Sequence, residues 1–168
     1  MSDNFWEGKR VLVTGHTGFK GGWLSLWLNE LGANVYGYSL TPNQENVFYN
    51  KVYSNGFIGE EQLSDITDRS KITKCIKSFE PQIIFHLAAQ PLIYESYQKP
   101  LETFDINFRG SLNVLEATRK VNSVKSLVVV TSDKCYESNN STKGFKENDE
   151  LGGVDPYSSS KASTEIMV

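Results

Sequence analysis

The feature that most constrains this chain is an apolar run, Val11 to Val13, that leads through Thr14 into glycines at 15, 18, 21 and 22. The order reads as strand, tight turn and helix start. A parallel strand ending at Val13 needs a sharp turn, which Gly15 can make. Gly18 lets the backbone approach a pyrophosphate, and Gly21 lets the next helix pack closely on the strand. The first-turn N–H groups of a helix over about Lys20 to Leu31 then face the phosphates, where the macrodipole favours negative charge. The spacing is Gly-x-x-Gly-x-x-Gly rather than the better-known Gly-x-Gly-x-x-Gly, and glycine-rich turns also occur where strands simply meet helices.

What favours a dinucleotide site over a plain turn is Tyr157 and Lys161, far downstream and four apart on an expected helix, so that both side chains leave one face. A tyrosine is ordinarily too weakly acidic to act as a base at neutral pH. A lysine ammonium beside it, with an oxidised nicotinamide ring, favours the phenolate, which can then take a proton from an alcohol as hydride leaves the carbon. Either motif alone is common by chance. Together, one after the first strand and one after the fifth, they specify alcohol–ketone redox chemistry.

Between them the chain alternates. Lys9 to Thr14 is a first strand, and Trp23, Leu24, Trp27, Leu28 and Leu31 recur at helical spacing as the expected core face of the first helix, with Gly32 as its stop. Asn34 to Tyr38 is a second strand and Ser39 to Asn50 a polar loop. Where an acidic side chain would favour NAD and an arginine NADP, the chain carries Tyr38, Ser39 and Leu40, which leaves the cofactor type open. Gly56 to Gly59 is a short third strand. Asp65 reads either as an acceptor for the adenine amino group or as a turn residue, and Asp68 as the cap of a helix over Arg69 to Phe79. Gln82 to Leu87 is a fourth strand stopping at Ala88 and Ala89, small residues that leave room for a ligand at the sheet's switch point. His86 within it suits a packed core histidine better than a base. Pro100 to about Val121 is one long helix containing Asn107. Ser126 to Thr131 is a fully buried fifth strand, Glu137 to Val154 a loop, and Asp155 to Val168 the next helix. The layout is a doubly wound α/β sheet within one domain.

At 168 residues with a net charge of −3, nothing is basic enough to make nucleic acid or an anionic membrane the main partner. No apolar run approaches the roughly 18 residues a bilayer span requires, and no signal peptide precedes the first strand, so a cytoplasmic protein is expected. Cys75 and Cys135 form no Cys-x-x-Cys pair, which argues for free thiols and against a metal site, with Cys75 in the core.

Through Thr14, Gly15, Gly18 and Gly21, Leu87-Ala88-Ala89, Asn107 and the Tyr157/Lys161 pair, the chain resembles the extended short-chain dehydrogenase/reductase family, and within it the nucleotide-sugar 4,6-dehydratases. The second likeness rests on the whole stretch Val13 to Gly21, on His86 to Leu92, on Thr131 to Tyr136 and on Pro156 to Ala162. The resemblance implies an NAD(P)-binding Rossmann fold and NAD held by Gly15, Thr17, Gly18, Phe19, Lys20, Gly21, Asp65, Ile66, Leu87, Ala88, Ala89, Asn107, Tyr157 and Lys161. It also implies an internal redox cycle on a nucleotide-linked hexose. Tyr157 would deprotonate the C4 hydroxyl with Ser132 on the same oxygen, Asp133 would protonate the leaving C6 hydroxyl, and Lys134 would remove the C5 proton. Elimination needs a donor and an acceptor at once, so two adjacent proton-transfer residues make sense. Position 134 is lysine where the dTDP-glucose dehydratases, which the chain also resembles, carry glutamate, and Ile93-Tyr94 stands where 4,6-dehydratases often carry Val-Arg.

The chain stops at Val168, seven residues after Lys161. The resemblance therefore implies that residues 1–168 are the dinucleotide-binding domain, incomplete and without the substrate domain, and that the full-length protein is a homodimer. Two further readings remain at this point: an epimerase or reductase of the same family, which would need no donor–acceptor pair at 133 and 134, and a nucleotide-binding module with no turnover of its own.

Overall fold

The computed structural model describes residues 4–42, 47–54, 59–137 and 144–168. Five parallel strands, β1 (Arg10–Thr14), β2 (Asn34–Ser39), β3 (Glu60–Leu63), β4 (Ile83–His86) and β5 (Ser126–Val129), form one sheet in the order β3-β2-β1-β4-β5. The order reverses at β1, so the crevice beyond its carboxyl end is the switch point.

Alternation along β1 builds a core on each face. Val11 and Val13 point to one side with Leu28, Ala33, Val35 and Ile83. Leu12 points to the other, with Tyr38, Ile66, Ile72, Ile76, Ile84, Val114 and Ala117. Helix α1 (Phe19–Glu30) lies on the first side; α3 (Arg69–Phe79) and α6 (Gly110–Thr118) pack together on the second. Asp68 caps α3, its carboxylate accepting from the Lys71 N–H at 3.1 Å. Cys75 is buried, and both cysteines are free thiols.

Several expectations need correction. Trp23 and Trp27 are not core: they are 51% and 66% exposed. Close approach of α1 to the sheet is made by the small residues Gly21, Gly22 and Ser25 with Leu28, and this turns the bulky side chains outward. Residues 47–50, expected in a polar loop, begin α2 (Val47–Ser54). Tertiary contacts hold it, Phe48 lying on Trp23 at 4.7 Å between ring centroids and the Tyr49 hydroxyl donating to Glu61 at 2.8 Å. Most of the strand expected at Gly56 to Gly59 lies outside the described residues. The third strand follows it, a polar edge strand that needs little hydrophobic sequence.

The long helix from Pro100 is compound. An unexpected α4 (Ile93–Gln98) precedes it, and a break at Lys99 (φ −131°, ψ 61°) lets Pro100 open α5 (Pro100–Phe104), since proline needs no N–H at a helix start. A π-helical turn, Asp105–Arg109, joins α5 to α6. Finally, β5 is half exposed rather than fully buried, with Val128 at 42%, because it is the edge strand among the described residues. A 3₁₀ turn (Asp133–Cys135) follows it, and α7 (Pro156–Met167) closes the chain. The described ends of the intervening loop are pinned by the Glu137 N–H donating to the Glu150 carbonyl at 2.9 Å; residues 138–143 of the expected loop lie outside the described residues.

Candidate active site

The glycine turn is built by sterics. Gly15 has φ +77°, and a Cβ there would stand 2.8 Å from the Ala88 nitrogen. A Cβ on Gly21 would stand 2.1 Å from the Gly15 carbonyl oxygen, so only glycine lets α1 start so close to the turn. Gly18 is the N-cap of α1, and no side chain caps the helix. No acidic residue lies in its first turn, which carries Lys20 instead. A cation at a positive helix end is unfavourable by itself. Uncapped N–H groups and a lysine at one spot therefore suit an anion, and the residues present fit the pyrophosphate of a dinucleotide.

A cleft of about 670 Å³ runs across the carboxyl ends of the strands. From the turn it is lined by Gly15, Thr17, Gly18, Phe19, Lys20 and Gly21. Asp65 and Ile66 line it beyond β3, Leu87, Ala88 and Ala89 beyond β4, and Tyr157 and Lys161 from α7. From the third strand to the fifth is four strand spacings, roughly 19 Å. Thirteen expected residues thus share one wall system, spanning a length that suits two linked nucleotides. Beyond β2, Ser39 donates to or accepts from the Thr17 hydroxyl at 2.7 Å. Asp65 is held as a turn residue, one oxygen accepting from the Thr67 N–H and hydroxyl at 2.8 Å each, while the residue also lines the cleft. No arginine is among the described residues lining the cleft.

At the other end, Asp155 caps α7 by accepting from the Ser158 N–H at 2.9 Å and its hydroxyl at 2.6 Å, which fixes the helix carrying Tyr157 and Lys161. Lys161 is 5% exposed, and its ammonium donates to the Val130 carbonyl at 3.1 Å. Burial, and secondarily the charge of Lys20, push it down to about 8. Thr131 lines the cleft and donates to Glu165 of α7, which ties the end of β5 to the helix.

Ser132, Asp133 and Lys134 do not line the cleft; they sit just past Thr131, on the 3₁₀ turn. The Ser132 oxygen accepts from the Lys134 N–H at 3.2 Å, and the Asp133 and Lys134 side chains, 68% and 56% exposed, form an ion pair at 3.6 Å. Asn107 lies beneath the floor, accepting from the Gln90 N–H at 2.8 Å and donating to Ser160 at 2.9 Å. His86 is buried between Thr14 and Ser111, a core residue as its strand context implies. Gln90, Leu92, Glu95, Glu102, Val130 and Thr131 also line the cleft; the sequence places Gln90, Leu92 and Thr131 in the motif stretches but names none of the six as a site residue. The signal that finds the first three is their place after Ala88-Ala89, where the chain leaves the switch point. Among the described residues no group of three His, Cys, Asp or Glu could hold a metal, and no helix is long and apolar enough to cross a membrane.

A parallel sheet ordered 3-2-1-4-5, with a glycine turn at its switch point and a Tyr-x-x-x-Lys helix at the far end of the cleft, defines a Rossmann-fold short-chain dehydrogenase/reductase domain. Residues 12–168 match the sequence model of the family described as GDP-mannose 4,6 dehydratase, and the chain belongs to that family. It is 47% identical to a CDP-glucose 4,6-dehydratase from Salmonella typhimurium, over 99% of this chain and 46% of that protein. Among solved structures it matches the Thermus thermophilus UDP-glucose 4-epimerase in complex with NAD (28% identity, TM-score 0.80, 94% of this chain and 49% of that one). It also matches a Thermotoga maritima UDP-glucose 4-epimerase with UDP-glucose (27%, TM-score 0.81, 94% and 49%). The chain thus spans about half the length of the relatives it matches.

Proposed function

We propose that the chain is the cofactor-binding half of a nucleotide-sugar 4,6-dehydratase that converts CDP-glucose to CDP-4-keto-6-deoxyglucose and water, using NAD. The observation that carries this reading is the packing of α7, which presents Tyr157 and Lys161 to the cleft, against the turn past β5 that carries Asp133 and Lys134. The 47% identity to a CDP-glucose 4,6-dehydratase supports the substrate. The likeness to the Thermus thermophilus epimerase solved in complex with NAD supports NAD as the cofactor.

In this reading Tyr157 takes the proton of the C4 hydroxyl, and the Lys161 ammonium stabilises the phenolate form that does so. Ser132 holds the same oxygen. The dinucleotide, when bound, supplies the hydride acceptor for C4 and returns the hydride to C6. With C4 a ketone, the C5 proton is acidified; Lys134 removes it while Asp133 gives a proton to the departing C6 hydroxyl, and water leaves. Lys134 gives its proton back to C5 as C6 regains hydride, and the proton left on Tyr157 is matched by the one that restores Asp133, by way of solvent. These two roles require a protonated Asp133 and an unprotonated Lys134, the reverse of their ordinary states near neutrality. Both side chains must therefore lose solvent when substrate and the remainder of the protein close over them.

The test is incubation of the full-length protein with CDP-glucose and catalytic NAD, followed by mass spectrometry of the sugar nucleotide. Loss of one water without net NADH is expected. Unchanged mass with CDP-glucose would sink the substrate, and unchanged mass with dTDP- and GDP-linked sugars as well would sink the dehydratase reading. The epimerases among the solved structures keep an epimerase or reductase as the second reading. Under it, Asp133→Asn and Lys134→Ala leave turnover largely intact, whereas a dehydratase loses it.

A further inference from the structure

A chain of buried polar groups runs under the cleft floor from the glycine turn to α7, and its direction can be worked out atom by atom. Ser111 has one hydroxyl hydrogen, which it donates to the Asn107 carbonyl at 2.5 Å. Toward His86 Nε2, 2.9 Å away, its oxygen can then only accept, so Nε2 carries a proton. His86 is 2% exposed, and burial, with the Lys161 charge adding to it, pushes the imidazole down to about 3, so it carries no second proton at neutral pH. Nδ1 is therefore bare and accepts from the Thr14 hydroxyl at 2.6 Å, whose oxygen in turn accepts from the Ala88 N–H at 3.2 Å.

The chain continues from Asn107. Its side-chain amide donates to Ser160 Oγ at 2.9 Å, and Ser160 donates to the Tyr157 carbonyl at 2.7 Å. The single hydroxyl hydrogen of Thr164 of α7 faces two carbonyls, that of Ser160 at 2.9 Å and that of Asn107 at 3.2 Å. The π-helical turn at Asp105–Arg109 sets Asn107 between these partners, in keeping with the tendency of such turns to occur at functional sites. Every hydrogen is committed in one sense, from Ala88 through Thr14, His86 and Ser111 to Asn107.

We propose that His86, as a neutral imidazole protonated on Nε2, is a positioning residue that ties the dinucleotide turn and the end of β4 to the helix presenting Tyr157 and Lys161. It touches neither ligand. It fixes the separation between the two ends of the cleft, between which hydride and proton transfer must be aligned. The catalytic readout below rests on the proposed dehydratase activity; the spectroscopic one does not.

The test has two arms in the full-length protein. In the first, ¹⁵N NMR of labelled histidine, with His86→Gln to identify the signals, should show a neutral Nε2–H imidazole that does not titrate between pH 5.5 and 8. An Nδ1–H tautomer, or titration in that range, overturns the proposal. In the second, Ser111→Ala, which leaves His86 in place but cuts its link to Asn107, should lower kcat roughly ten- to a hundredfold, the scale expected of a small misplacement of reacting groups. KM values for NAD and sugar nucleotide should stay within about twofold. His86→Gln, which can offer an N–H to Ser111 and a carbonyl to Thr14, should retain more kcat than His86→Leu. An unchanged kcat in Ser111→Ala overturns the proposal. So does loss of kcat in step with folded fraction, without rescue by glutamine, which would mean a purely structural role. If the parent releases no water from CDP-glucose, the dehydratase reading fails, and the imidazole spectrum alone decides this one.

Discussion

At the scale of single residues, the site was legible where chemistry demands one residue type. Gly15 and Gly21 could be placed because a positive φ and a 2.1 Å approach admit nothing larger, and Tyr157 with Lys161 because their i, i+4 spacing is itself the functional signal. Trp23 and Trp27 misled, since helical spacing shows that a face exists and not which face the sheet takes; three small residues beside Leu28 took it. His86 carries a residue-scale prediction. Its folded-state pKa, about 3, lies below the ordinary 6.5, so the unfolded chain binds more protons between those values and stability falls as pH drops through 6.5. His16, also pushed down by burial, adds in the same direction, although Glu61 partly offsets it. Denaturant unfolding at pH 7.0 and 5.5, a window above most carboxylate titration, should show a loss of about 1 kcal/mol from His86 alone. Equal stabilities at the two pH values would mean that His86 is charged, or exposed, in the folded protein.

At the scale of elements, the strands of the parallel core were legible within a residue or two because each is a short apolar or aromatic run bounded by glycine, proline or polar turn residues. The region from residue 93 to 118 was not. Its hydrophobic period continues through Lys99 and the π-helical turn, and the interruptions are set by a backbone break and by side chains from other elements, Ser160 and Thr164 among them. Helix α2 was missed because aromatic contacts to α1 hold it, and no local pattern announces it. Helix α7 permits a quantitative expectation. Its N-cap is Asp155, 8% exposed, with both carboxylate oxygens engaged by Ser158. Asp155→Ala should cost about 1 kcal/mol, and up to about 2 kcal/mol given this burial. It should also weaken NAD binding, because the helix end it loosens carries Tyr157. Denaturant midpoints paired with NADH fluorescence titration check both parts; a destabilised variant with unaltered NADH affinity would separate the cap from the site.

At the scale of the whole molecule, the residues proposed to hold the dinucleotide and those proposed to carry the elimination differ in their surroundings. The glycine turn, the ends of β3 and β4 and α7 all line one cleft, so the residues proposed to hold a dinucleotide lie together. Asp133 and Lys134, proposed to transfer protons, are instead 68% and 56% exposed on a turn outside the cleft. Solvent occupies the place where a substrate would have to sit against them. The two functions should therefore separate. A protein consisting of these 168 residues should bind NADH with a Kd of about micromolar strength, worth roughly −8 kcal/mol, with Lys20 and Lys161 making that affinity fall as salt rises. It should show no measurable water loss from CDP-glucose. Fluorescence titration at two salt concentrations and mass spectrometry on the same preparation measure both. Turnover without further chain would show that solvent-exposed Asp133 and Lys134 suffice for the elimination. Absence of NADH binding would show that the cleft needs a wall these strands do not supply.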